Sequence, residues 1–189
     1  STYEPQNRKP KGRGKQMEWM DIYDAAGNKT GRQAERHTAL KDGEFFLCAH
    51  IILENTAQQF LIQQRSDSKE SRPGQWDITA GAVDAGETSL IGALREAKEE
   101  VGLTVPSRAV RFLFRDQRPH CFHDIYYACF PFSLKECTMQ ASEVQALRLV
   151  SDQELIALMQ QQCHRTSFYK TQLTNFLENR TKFVTSCLQ

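Results

Sequence analysis

The segment Arg95-Glu96-Ala97-Lys98-Glu99-Glu100 concentrates three carboxylates on a short length of chain. On a helix advancing about 100° per residue, Glu96, Glu99 and Glu100 fall within an arc of roughly 100°, away from Leu94 and Val101. Lys98 and Arg95 point elsewhere or graze the edge of that arc. Carboxylates that converge repel one another unless a positive charge lies between them. A hard divalent cation suits such an all-oxygen site, with magnesium (Mg2+) the first choice and manganese (Mn2+) the second. A Glu-rich helix is also, in the ordinary case, a solvated acidic face. The turn before this helix argues for a ligand instead. Gly81, Gly86 and Glu87 bring the chain sharply into it, so that free N–H groups of its first turn can meet phosphate oxygens. Glu87 reads as an early-helix acid favoured by the dipole. Phosphate donors beside a carboxylate cluster describe a metal–diphosphate site.

The elements that must position these groups are readable from periodicity. Leu90, Ala93, Leu94, Ala97 and Val101 form one apolar stripe at helical spacing, and Gly102 stops the helix. Before it, Glu18–Tyr23 and Lys29–Arg32 flank the turn Ala25-Ala26-Gly27-Asn28, and Phe45–Leu53 and Gln59–Gln64 form a second hairpin. Ser66–Gly74 is a polar loop, Trp76–Thr79 a strand, and Ala80–Gly86 a turn. After the helix, strands are expected at Val110–Phe114, Phe122–Phe132 and Val144–Val150. Cys121 and Cys129 share a strand region, so at least one should face the core. A helix opens near Ser151 with Glu154 in the capping-box position. A last helix covers Ser167–Arg180, its apolar side supplied by Phe168, Leu173, Phe176 and Leu177. Residues 1–17 read as a flexible, solvated lead carrying Arg8, Lys9, Lys11, Arg13 and Lys15. Residues 18–189 read as one α/β domain with a mixed sheet and a C-terminal helical extension.

Bulk properties narrow the function classes. With 24 Lys and Arg against 23 Asp and Glu, the chain lacks the basic excess of a dedicated nucleic-acid binder. No run of 18 apolar residues exists, and the N-terminus is polar, so neither a membrane span nor a signal segment is expected. The six cysteines include no CxxC pair, which favours free thiols in a reducing cytoplasm.

Gly81, Glu87, Arg95-Glu96, Ala97, Glu99-Glu100, Gly102 and Leu103 stand at the spacings of the Nudix box, and the chain resembles the Nudix hydrolase family on that ground. The resemblance covers residues 18 to about 160 and implies a Nudix-type α/β/α sandwich. It implies that Glu96, Glu99 and Glu100 hold divalent cations, with Glu96 as an alternative polariser of the attacking water. Arg95 would orient the glutamates through salt bridges, and Gly81 would approach the substrate. In such enzymes a further base often lies outside the box, and Glu143 is the candidate. Water would attack one phosphorus of a small-molecule diphosphate. Pairing of two copies through the N-terminal hairpin or the C-terminal helix is a further expectation.

The Glu18–Gly31 opening and the segment Leu61–Asp77 resemble the subgroup related to isopentenyl-diphosphate isomerase. That isomerase needs a cysteine in the loop entering the box and histidine metal ligands. Here the loop reads Thr79-Ala80-Gly81-Ala82-Val83, and an apolar Phe46 occupies the upstream histidine slot. A complete box without that cysteine favours hydrolysis over proton transfer at carbon. A substrate-binding protein with weak or lost catalysis is the other alternative. Arg65, Lys69, Arg72 and Trp76 are the candidate substrate contacts, each also readable as surface charge or packing. Arg118-Pro119-His120 and Phe122-His123-Asp124 add a rim, with Pro119 in the region where ADP-ribose-cleaving relatives carry a proline. A nucleoside diphosphate derivative is the broad expectation, while isoprenoid or thiamine-like diphosphates suit the same chemistry.

Overall fold

The computed structural model describes residues 2–3 and 17–180. In chain order the strands before the first helix are β1 (Thr2–Tyr3), β2 (Trp19–Tyr23), β3 (Lys29–Glu35), β4 (Phe46–Glu54), β5 (Phe60–Arg65), β6 (Trp76–Asp77) and β7 (Thr79–Ala82). Helix α1 (Ser89–Val101) is followed by β8 (Val110–Arg118), β9 (Cys121–Cys129) and β10 (Val144–Val150), then α2 (Asp152–Gln161) and α3 (Ser167–Asn179). The basic cluster Arg8, Lys9, Lys11, Arg13 and Lys15 lies outside the described residues.

Alternation along the central strands sorts their side chains into two cores. Leu47, Ala49, Ile51 and Leu53 of β4, Leu61 of β5 and Phe122, Tyr126 and Ala128 of β9 pack with Ala93, Ala97 and Val101 of α1. The intervening residues Ile52, Phe60, Ile62, Ile125 and Tyr127 pack instead with Leu155, Met159, Tyr169, Leu173 and Leu177 of α2 and α3. Each fully buried aliphatic side chain contributes about 1.5–3 kcal/mol relative to exposure. Because β4 and β9 are covered on both faces, their runs are nearly all apolar. The result is the expected α/β/α sandwich with a mixed sheet, in the order β1-β10-β5-β4-β9-β8, while β2 and β3 pair separately. The β4–β9 pair is parallel, with Phe46 opposite Cys121 and Glu54 opposite Cys129; the sheet's other pairings are antiparallel.

Several boundaries differ from expectation. Ala80–Ala82, expected to open the turn Ala80–Gly86, belong instead to the strand Thr79–Ala82, which pairs Cys48 to Ala82 and Ile51 to Thr79. Glycine and alanine there let α1 lie close. The segment Phe122–Phe132 leaves the sheet after Cys129. Thr2–Tyr3, expected as part of a featureless lead, pair with Arg148 and Leu147. In α3 it is Tyr169 that is buried with Leu173 and Leu177, while Phe168 is exposed and its ring meets only the edge of the core at Phe114.

Candidate active site

Helix α1 starts at Ser89, beyond its acidic lead. Thr88 is the N-cap, accepting a hydrogen bond from the Ile91 N–H at 3.2 Å, so Glu87 lies before the helix rather than in its first turn. Glu87 is occupied elsewhere, accepting from Arg95 Nε at 2.8 Å and Nη2 at 3.1 Å and from the Asp84 N–H at 3.0 Å. Gly102 ends the helix in the left-handed conformation, with φ of 74°.

Arg95 does not graze the carboxylate cluster; it is the centre of it. Beyond Glu87, its Nη1 donates to Glu96 at 2.9 Å and to Glu99 at 3.2 Å, and Nη2 donates to the Ala82 carbonyl at 2.8 Å. Burial disfavours its charge, but the hydrogen bond with Glu87 and the field of Glu96 outweigh that and hold it protonated. One guanidinium thus joins the loop, β7 and the helix.

The three helix glutamates occupy unequal environments. Glu99 is half-exposed, whereas Glu96 and Glu100 are enclosed beneath β7 and β5. Glu96 lies against the Cα of Gly81: a Cβ there would stand 2.2 Å from its carboxyl carbon. Gly81→Ala must therefore expel the Glu96 carboxylate, and we expect a loss of turnover of at least about 100-fold with the fold retained, checked by kinetics beside a circular dichroism spectrum. Glu100 accepts from Gln63 Nε2 at 2.5 Å, and the Gln63 carbonyl accepts from Thr79 Oγ1 at 3.0 Å. Gln63 and Thr79 escaped the sequence reading, their only signal being polar residues within apolar strands.

Burial, with neighbouring Glu99 and Asp84 outweighing part of the help from Arg95, pushes the Glu96 carboxyl up to about 7. Burial and the adjacent Glu96 push Glu100 up to about 8. Two buried carboxyls that hold protons near neutrality because they lack sufficient positive charge are the donor set a hard divalent cation fits.

Glu143 joins this cluster by a chain of backbone links. The Gln140 N–H donates to the Glu100 carbonyl at 3.1 Å, and the Glu143 N–H donates to the Gln140 carbonyl at 2.8 Å. The Glu143 carboxylate pairs with Lys69, and both groups act electrostatically on Glu100. The structure therefore brings Gly81, Arg95, Glu96, Glu99, Glu100, Lys69 and Glu143 together.

It does not bring the remaining candidates there. Arg65 donates to the Ser71 carbonyl at 2.9 Å and so braces its own loop. Trp76 packs with the α2–α3 core, with Arg148 over its ring at 5.2 Å. Arg72 donates to Asp77 at 3.1 Å and meets His164 at 2.7 Å. Asp77 anchors a buried network of its own, taking two 2.7 Å contacts from Arg165 Nη2 on the turn between α2 and α3. Arg118, Pro119 and His120 do line a cleft, of about 360 Å³, shared with Phe45 and Asp42 but with none of the glutamates.

The NUDIX domain model matches residues 45–170. The chain belongs to the Nudix hydrolase family. Nudix hydrolase 3 of Arabidopsis thaliana is 37% identical over 151 residues, which are 72% of this chain and 20% of that protein. An uncharacterized Nudix hydrolase of Listeria monocytogenes is 34% identical over 166 residues, 87% of this chain and 98% of its own. Among solved structures, the DR0079 protein of Deinococcus radiodurans superposes with a TM-score of 0.64 at 21% identity, covering 82% of this chain and 97% of that one. That likeness concerns the Nudix fold alone. Among the described residues, no helix is long and apolar enough to cross a membrane.

Proposed function

We propose that this protein is a magnesium-dependent hydrolase of a diphosphate linkage, with a nucleoside diphosphate derivative as substrate and the cytoplasm as its compartment. The observation that carries this reading is the buried pair Glu96 and Glu100, held against Gly81 and Gln63, with Arg95 bonded to the first and Lys69 acting on the second. Glu96, Glu100 and the more exposed Glu99 would hold the metal, with manganese the alternative ion. The bound ion supplies charge neutralisation on the diphosphate and its leaving group. Arg95 fixes the ligand geometry by bridging Glu87, Glu96 and Glu99. Glu143, ion-paired with Lys69, stands as the base that takes the proton of the attacking water. Lys69 is then the natural partner of a substrate phosphate.

A panel of nucleoside, dinucleoside, isoprenoid and thiamine diphosphates, incubated with and without magnesium, tests the proposal. We expect monophosphate products only when the metal is present. Tight binding with no product would establish a binding protein, and an allylic isomer without phosphate release would establish the isomerase.

A further inference from the structure

Across the parallel β4–β9 pair, alternate residues of the two neighbours converge. Cys48 and His50 of β4 stand beside Cys121 and His123 of β9, the register setting Cys48 opposite His123. The two sulfurs are 3.6 Å apart, and one ligand atom from each of Cys48, Cys121 and His123 falls within 4.8 Å of the others. His123 engages His50 Nε2 through Nδ1 at 2.8 Å, which leaves Nε2 free to ligate; His50 in turn meets the Tyr169 hydroxyl at 3.0 Å. None of these side chains takes part in the hydrolytic site.

We propose that Cys48, Cys121 and His123 form a binding site for a zinc ion that pins β4 to β9. Two thiolates on a tetrahedral zinc at its usual bond length lie about 3.8 Å apart, close to the spacing already present. A disulfide would need the sulfurs to close to about 2.05 Å, and it would leave the adjoining imidazole without a role. Sulfur and imidazole donors select zinc over magnesium, so this site and the glutamate cluster sort ions by chemistry. His50 then fixes the His123 ring as the hydrogen-bonded partner of a metal-ligating histidine usually does. Two thiolates offset the charge of a divalent ion in full.

The test uses the full chain, reduced and stripped of metal, titrated with cobalt(II) as a zinc surrogate. We expect one equivalent to develop thiolate-to-cobalt charge-transfer absorption and the intense visible bands of a tetrahedral ion. Cys48→Ser and Cys121→Ser should each lose the charge-transfer band, His50→Gln should weaken binding by roughly ten- to a hundredfold, and Glu100→Gln should keep the band unchanged. Should a cysteine variant not fold, alkylation of the wild-type chain decides: zinc should protect Cys48 and Cys121 while the exposed Cys163 still reacts. Absence of the charge-transfer band from the wild type, its survival in both cysteine variants, or equal alkylation with and without zinc would each overturn the proposal.

Discussion

Glu100→Gln is expected to lower kcat by about two to three orders of magnitude and, in the metal-free protein at pH 8, to raise the melting temperature. Activity and stability are expected to move in opposite directions because, under the proposed function, the wild-type residue serves a ligand rather than the fold. Its carboxyl is buried beside Glu96, and its hydrogen bond from Gln63 can equally be accepted by a glutamine carbonyl. The pH dependence follows from linkage. The ordinary glutamate value is 4.5, and the folded-state values of Glu96 and Glu100 are raised to about 7 and about 8. Below 4.5 both folded and unfolded chains are protonated at these positions. Between there and pH 8 the unfolded chain ionises first, so the metal-free fold loses stability as pH rises. Each tenfold difference in proton affinity is worth about 1.4 kcal/mol, so the two carboxyls together bring a loss on the order of 5–10 kcal/mol. Magnesium should restore that loss increasingly above pH 6, since ligation needs the ionised form. Scanning calorimetry from pH 5 to 8.5, with and without metal, beside Michaelis kinetics, checks both halves. A Glu100→Gln protein with wild-type turnover and an unaltered pH–stability curve would reduce Glu100 to a packing residue.

Among substitutions, the largest expected loss of stability lies on the opposite face. Asp77→Asn should cost about 3–5 kcal/mol, a fall in Tm on the order of 10 °C. The substitution preserves shape, yet it leaves Arg165 buried and Arg72 half-buried without their counter-charge. Burial by itself would raise the Asp77 carboxyl, but the Arg165 guanidinium, with His164, His50 and the hydrogen bonds they make, holds it well below the usual carboxylate range. A depressed acid contributes stability above its unfolded value of 3.8 and loses it as pH falls through and below that point. The wild-type and variant melting curves should therefore differ at pH 7 and converge in strong acid. Arg165→Met, which removes the charge from the other side, should also be destabilising, and the double variant should recover part of the loss because no unpaired charge then remains inside.

How far the molecule was legible from its residues depended on the range of the interaction. The stripe of Ala93, Ala97 and Val101 and the stop at Gly102 are local, and α1 formed on those terms. The glutamates followed at their spacing, yet helical geometry alone does not say which of them a sheet will cover. Gln63 and Thr79, distant in sequence, enclose Glu100, while Glu99 stays half-exposed beside Arg95. Arg72 and Trp76 read as site residues because they precede the box. Arg72 meets Asp77 and His164 instead, and Trp76 packs in the α2–α3 core under Arg148 of β10, partners drawn in part from the far end of the chain. Glu143 and Lys69 were legible as a candidate base and a candidate substrate contact; their ion pair and the backbone links from Glu100 through Gln140 to Glu143, all long-range, were not.

The parallel ladder between residues 46–54 and 121–129 also governs how the chain reaches this state. Everything that builds the glutamate site from Gly81 through Glu100 lies inside the loop that this pairing closes, and Glu143 lies beyond it. Non-local pairing of this kind bears its entropy before its reward, so topology of high contact order folds slowly. During synthesis α1 and the β4–β5 hairpin can form early. The central strand β4, apolar on both faces, must wait for β9 to emerge before its edge is paired. That interval, rather than the finished fold, is where the chain is most exposed to association with other copies.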